Sequence, residues 1–209
     1  MTGKFITFEG GEGAGKSTQA GLLAKSLEKR GIEVVLTREP GGSPGAEEIR
    51  KLLVEGEPDR WTPLTETLLF LAARSDHVAR LIRPSLEKEN WVVCDRFSAS
   101  TLVYQGIARG VGIDTVKALQ DSIPGMIDPD LTIVLDVDPK IGLSRAGARA
   151  EDLESRFEKF DAAFHDTLRD AFRKLARTEE SRCVAIDGGR APELVADDVW
   201  RLVRERLSP

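Results

Sequence analysis

Residues 10–17 read Gly-Gly-Glu-Gly-Ala-Gly-Lys-Ser, which fills the pattern G-x-x-x-x-G-K-[ST] completely. Glycines free the backbone N–H groups of such a loop to wrap a polyphosphate. The lysine supplies a cation for the β- and γ-phosphates, and the serine offers a hydroxyl to Mg²⁺. This chemistry needs a strand before the loop and a helix after it, because the helix N-terminus aims unpaired N–H groups at the anion. Both are present. Residues 4–8 (Lys-Phe-Ile-Thr-Phe) read as a short buried strand, and Ala20, Leu23 and Leu27 fall on one helical face at i, i+3 and i+7.

Four more short apolar runs follow, at 33–37, 91–94, 131–135 and 183–186, with longer helical stretches between them. That alternation predicts parallel strands joined by crossover helices, hence an α/β fold with a five-stranded parallel sheet buried on both faces. The runs end in Glu9, Arg38-Glu39, Asp95-Arg96, Asp136 and Asp187. Ligands of open α/β sheets bind beyond the carboxyl ends of the strands, so these charges point to one edge as the active face. For Asp136 and Asp187, an ordinary polar strand end explains the residue equally well.

Thr62-Pro63 reads as an N-cap with proline at the first helical position, opening a helix that should stop at Pro84. On it Leu64, Leu68 and Leu71 share one face, while Glu66, Phe70, Arg74 and His77 lie near another. A second long helix is expected over about 152–176. A last one should start near Pro192, with Val195, Val199 and Leu202 inward. The chain has 209 residues and no repeat or low-complexity linker, which predicts one domain.

A net charge of −5 argues against non-specific nucleic-acid binding, so any anion must be held by local arginines. Cys94 and Cys183 sit inside apolar runs without paired spacing and read as core thiols of a reducing compartment. No run approaches the length of a membrane span, and the N-terminus enters a strand within a few residues. A cytoplasmic protein is expected.

A phosphate loop alone fits motors, switches, transporters and kinases. No Asn-Lys-x-Asp guanine motif is present. Arg38 and Arg96 follow strands two and three, where their planar donor forks would flank the loop and hold a second phosphate. Phe70 and Arg74, one turn apart, offer a nucleobase an aromatic face and a bidentate donor, although Phe70 alone also fits a core aromatic. Over 142–156 Arg145 and Arg149 are four apart among small residues. This segment reads either as a mobile lid carrying arginine over the transferring phosphoryl group or as a solvated helical face.

In this order, Phe8 to Ser17, Thr37-Arg-Glu-Pro-Gly-Gly42, Phe70-Leu-Ala-Ala-Arg74, Asp95-Arg96, Ser100-Thr101, Tyr104-Gln-Gly106 and Pro129-Asp-Leu-Thr132 resemble the thymidylate kinases over nearly the full chain. The resemblance implies the three-layer P-loop NTPase fold with a lid at about 142–156. It also implies phosphoryl transfer from Mg²⁺·ATP to dTMP, and a homodimer. Gly10, Gly11, Glu12, Gly13, Ala14, Gly15, Lys16, Ser17 and Thr18 would hold ATP. Arg38 and Arg96 would hold the acceptor phosphate, and Phe70 would stack on thymine. Arg74 would donate to its O4, and Thr101 would face its N3 edge with Ser100 and Gln105 nearby. Tyr104 would lie against the deoxyribose, and Glu12 would reach the 3′-hydroxyl. Lys16, Arg96, Arg145 and Arg149 would be the catalytic cations. Ser17, with Asp95 and Glu9 through water, would serve Mg²⁺. Gly13 together with Arg145, Arg149 and Arg156 in the lid matches the bacterial type of the family, and which lid arginine meets the phosphate stays open. The 187–192 loop resembles the family's adenine-side loop.

Overall fold

A computed structural model describes residues 3–148 and 156–209. The five apolar runs are strands β1 (Phe5–Glu9), β2 (Val34–Arg38), β3 (Trp91–Asp95), β4 (Leu131–Asp136) and β5 (Cys183–Asp187). Each lies within one residue of its expected span. All pairings are parallel, in the order β2-β3-β1-β4-β5. The three inner strands are buried on both faces, which is why they read as unbroken apolar runs rather than as alternation.

The helices are α1 (Lys16–Glu28), α2 (Pro44–Val54), α3 (Pro63–His77), α4 (Arg83–Glu87), α5 (Ser98–Thr101), α6 (Ile113–Asp121), α7 (Pro139–Gly147), α8 (Ala162–Thr178) and α9 (Pro192–Leu207). On one face of the sheet, Leu23 and Leu27 of α1 and Val195, Val199 and Val203 of α9 close over Ile6, Phe8, Ile133 and Leu135. On the other, Leu168 and Phe172 of α8 pack with Val103, Tyr104 and Val134, and Val78, Ile82 and Phe97 pack with Phe5, Val92 and Cys94. These are the three layers expected, and Cys94 and Cys183 are buried free thiols.

Register levels the carboxyl ends. Asp95 lies beside both Phe8 and Arg38, Glu9 beside Val134, and Asp136 beside Asp187. The chain leaves β1 toward β2 and β3 on one side and later fills β4 and β5 on the other. A crevice must therefore open beyond β1, where the connections diverge.

Three helix expectations need correction. The helix from Thr62 does not stop at Pro84. It widens into a π-helical turn over Val78–Ile82, in which Arg83 N–H donates to the Val78 carbonyl five residues back, and continues as α4. The wider turn takes up the hydrogen-bond position that proline vacates. Second, α8 starts at Ala162 rather than near 152, because the Asp161 carboxylate caps it by accepting from Phe164 N–H at 2.9 Å. Residues 152–155 lie outside the described residues, and Arg156–Lys159 is a short 3₁₀ turn. Third, Leu64 and Leu68 do not join Leu71 in the core, each being 48% exposed. The inward face of α3 is instead the one carrying Glu66, Arg74 and His77, all buried, with Phe70 half-buried.

Candidate active site

The glycine loop leaves β1 and turns into α1 through Gly15, in the left-handed region at φ 91°. Gly13 also has positive φ, at 61°, and a Cβ there would lie 1.9 Å from the carbonyl oxygen of Gly142 on α7. The backbone of α7 thus sits directly on the loop, an approach only glycine permits. Lys16 is buried and donates from Nζ to the Gly11 carbonyl at 2.7 Å. Burial and the neighbouring Arg96 lower its pKa to about 8, against the opposing pull of Glu12. Ser17 and Thr18 are exposed at the start of α1, and the Ser17 hydroxyl donates to the Asp95 carboxylate across the crevice.

Arg96 stands at the centre. It has a left-handed backbone, φ 69°, pinned by its own N–H donating to the Phe8 carbonyl at 2.9 Å. A non-glycine residue there is uncommon and is held by its surroundings. Its guanidinium donates to the Gly10 carbonyl (2.9 Å), the Ser100 hydroxyl (3.1 Å) and Glu12 Oε1 (2.9 Å), and lies 5.0 Å from the Tyr104 ring centre. The Tyr104 hydroxyl donates to the same Glu12 oxygen at 2.8 Å.

Two glutamates three residues apart are driven in opposite directions. Burial pushes Glu9 up to about 7, against hydrogen bonds from Ser100 Oγ (2.6 Å) and Phe97 N–H (2.9 Å). Burial acts on Glu12 too, but Arg96 and Lys16 outweigh it and hold that carboxyl at about 2. Glu12 is an anion at neutral pH, whereas Glu9 is divided between its two forms. With no exposed surface, Glu9 is poorly placed to serve a cation directly.

A cavity of about 740 Å³ joins these groups. At one end are Gly13 to Thr18, Arg145, Gly188, Arg190 and Pro192, and at the other Phe70, Arg74, Thr101, Tyr104, Gln105 and Phe157, with Glu12, Asp95, Arg96 and Ser100 between. Arg74 is 1% exposed and donates to Glu39 Oε2 at 2.7 Å and Thr101 Oγ1 at 2.9 Å. Gln105 donates to buried Glu66 at 2.9 Å. Thr101, Tyr104 and Gln105 are brought to one wall where α5 passes into a π-helical stretch, Leu102–Ala108, a distortion frequent at functional sites.

Some expected residues stand elsewhere. Arg38 is 53% exposed, pairs with Glu47 at 3.3 Å and does not line the cavity. Arg149 lies outside the described residues. Arg145 lines the cavity, its two terminal nitrogens donating to the Gly188 and Gly189 carbonyls at 3.2 and 3.3 Å. Arg156 is not a lid arginine. It is fully buried, donates to the Leu53, Glu57 and Pro58 carbonyls and pairs with Glu66 at 2.5 Å, which removes it from any phosphate. Several lining residues escaped the sequence reading, among them Arg50 and Phe157. The Phe157 ring centre is 6.1 Å from that of Phe70 and 5.6 Å from that of Tyr104. Its place in a Phe157-x-x-Phe160-x-x-x-Phe164 series was the available signal.

Ser17 and Asp95 offer hard oxygen donors at a solvent-open point beside the loop, a set that fits Mg²⁺. Among the described residues no cluster of three or more His, Cys, Asp or Glu could cage a metal. That suits an ion which keeps most of its shell as water and phosphate oxygens.

The family model described as thymidylate kinase matches residues 8–199. A curated thymidylate kinase of Bradyrhizobium sp. (strain ORS 278) is 53% identical over 206 residues, covering 98% of this chain and 91% of its own. One of Rhodopseudomonas palustris (strain ATCC BAA-98 / CGA009) is 51% identical over 209 residues, covering 99% and 91%. The crystal structure of thymidylate kinase from Ehrlichia chaffeensis superposes with a TM-score of 0.77 at 34% identity, over 97% of this chain and 99% of that one.

Proposed function

Given that this chain belongs to the thymidylate kinase family and phosphorylates dTMP to dTDP, we propose that the transfer runs directly along the cavity, from Mg²⁺·ATP on the glycine loop to dTMP at the Phe70–Gln105 end. The observation that carries this reading is the single 740 Å³ space with a phosphate loop at one end, an aromatic and guanidinium pocket at the other, and Arg96 between.

An oxygen of the dTMP phosphate attacks the γ-phosphorus, and the bond to the β,γ-bridging oxygen breaks, leaving ADP. No strong general base is needed, since the attacking phosphate is already an anion. The protein aligns two mutually repelling anions and neutralises their charge. Lys16 gives up the Gly11 carbonyl for the β- and γ-phosphates. Arg96 meets the acceptor phosphate, joined by Arg38 on leaving Glu47. Arg145 or Arg149, from the 142–156 lid of this one domain, covers the transferring group and excludes water. Ser17 and Asp95 would hold Mg²⁺, with Glu9 no closer than a bridging water; bound there, the ion would supply positive charge against the triphosphate. At the acceptor end Phe70 stacks on thymine, Arg74 donates to O4, and Thr101 faces N3 with Ser100 and Gln105 nearby. Glu12 takes the 3′-hydroxyl, and Tyr104 packs against the deoxyribose and disfavours a 2′-hydroxyl.

The reading extends to a cytoplasmic homodimer. Exposed Leu64 and Leu68 on α3 supply an apolar face for a second copy. No described helix is long and apolar enough to cross a membrane. A coupled ADP-release assay with ATP and a panel of dTMP, UMP, CMP and AMP tests the acceptor assignment. Preference for any of the others over dTMP overturns it.

A further inference from the structure

Behind the acceptor end of the cavity lies a run of side chains that the phosphoryl transfer does not use. His77, the residue one turn beyond Arg74 on α3, has no exposed surface. Its Nδ1 is 3.1 Å from Glu39 Oε1, and its Nε2 is 2.8 Å from Thr37 Oγ1. The other oxygen of Glu39, Oε2, accepts from Arg74 Nε at 2.7 Å, and Glu39 is itself 5% exposed. The carboxylate is thus held on both sides, by an imidazole and a guanidinium. Its backbone N–H adds a third tie, donating to the Asp95 carbonyl at 2.9 Å. The loop folds tightly over the pair: a Cβ on Gly42 would lie 2.3 Å from His77 Nε2 and 2.5 Å from Thr37 Oγ1.

The chemistry fixes the direction of the bonds that end on Glu39. An ionised carboxylate only accepts, so His77 Nδ1–H donates to Glu39. Nε2 and the Thr37 hydroxyl share the bond on the far side of the ring. Glu39 in turn holds Arg74 by Nε. With Nη2 also donating to Thr101 (2.9 Å) and Nη1 directed at Gln120 Oε1 (3.5 Å), the plane of the guanidinium is set, and Arg74 lines the cavity in that plane. A donor-only edge favours a pyrimidine with a carbonyl at position 4 and rejects one with an amino group there. The sharpness of that choice depends on how firmly the plane is held.

We infer that His77, which does not itself line the cavity, is a positioning residue that sets base discrimination by fixing Glu39 against Arg74. This rests on the reading above that Arg74 faces the base. Removing His77 leaves Glu39 Oε1 without its buried donor, so the carboxylate turns to find another and Arg74 loses its fixed plane. The donor and acceptor on phosphate are untouched.

The test is steady-state kinetics on His77→Leu, His77→Asn and Arg74→Gln, with dTMP and dCMP as acceptors. Asparagine places an amide N–H near the position of Nδ1 and restores the bond to Glu39. His77→Leu is expected to raise the KM for dTMP about tenfold and to shrink the kcat/KM ratio of dTMP over dCMP by a similar factor. It should leave the KM for ATP unchanged, and His77→Asn should recover most of both losses. A folded His77→Leu protein with an unaltered ratio overturns the inference, as does an Asn variant no better than Leu. Should the Leu variant fail to fold, Thr37→Val removes the hydroxyl that fixes the ring from its far side. A smaller fall in the same ratio then supports the inference, and no change overturns it. Arg74→Gln separates the two levels: if it leaves the ratio intact, the placement of Arg74 on the base is wrong. If it collapses the ratio while His77→Leu does not, only the positioning role is wrong.

Discussion

Replacing Glu9 by glutamine should make the folded protein more stable at neutral pH, and the gain should disappear in mild acid. Glu9 has no exposed surface, and burial raises its carboxyl from an ordinary 4.5 to about 7. An acid whose folded pKa is raised holds its proton more tightly folded than unfolded. Its contribution is therefore fully present below 4.5 and is lost as the pH climbs through about 7. The gap between those values is worth about 3 kcal/mol. Glutamine carries no charge to desolvate and keeps both contacts: its carbonyl accepts from Phe97 N–H, and its amide donates to the Ser100 hydroxyl. Urea unfolding followed by circular dichroism at half-unit steps from pH 4.5 to 8 measures both proteins, and subtracting one curve from the other cancels every other titrating group. The wild type should lose about 3 kcal/mol relative to Glu9→Gln across that range. Parallel curves, with a constant difference, would mean that Glu9 is not protonated in the fold and that its burial has been misjudged.

Three further outcomes follow from the same geometry. Gly13→Ala puts a methyl group into the Gly142 carbonyl in a left-handed backbone; α7 must move, so kcat should fall at least tenfold and the melting temperature should drop as well, whereas a fully active variant would deny the contact. Arg156→Met removes the guanidinium on Oε2 of buried Glu66, leaving Gln105 and the more distant Arg109 on Oε1, and should cost about 3–5 kcal/mol in denaturant unfolding; loss of activity without loss of stability would return Arg156 to the phosphates. Arg96→Ala should lower kcat by about 10³–10⁵ if it acts as other phosphate-bridging arginines do; near-normal dTMP phosphorylation by a folded variant refutes its role.

What could be seen in the sequence was local and periodic. Each strand is a short apolar run because a buried parallel sheet makes it one, and the loop's glycines are spaced by the phosphates they would wrap. The face of α3 that carries Phe70 and Arg74 is legible at spacings of four and three. Pairings between distant residues were not. Arg156 and Glu66 are 90 positions apart, and nothing in either neighbourhood says that the arginine turns inward to three carbonyls rather than outward to a lid. Arg38 is the last residue of its strand rather than the first beyond it, and its partner Glu47 comes from the next helix. The π-helical turns were hidden for a different reason: no residue type marks a wide turn, so Pro84 looked like an end. His77 showed its face but not its duty, since a buried histidine declares its partner only through a fold.

The way Arg145 is held separates it from Arg74, Arg96 and Arg156. Its two bonds end on the neutral carbonyls of Gly188 and Gly189, at 3.2 and 3.3 Å, whereas Arg74, Arg96 and Arg156 each face a carboxylate at 2.9 Å or less. Exchanging a neutral acceptor for a phosphate oxygen turns a bond with one charged partner into a bond with two, while abandoning a carboxylate leaves a buried charge behind. The arginines are therefore graded by their cost of recruitment. Arg145 is held at low cost, so in the proposed transfer a triphosphate would draw it across the cavity without unpicking the fold.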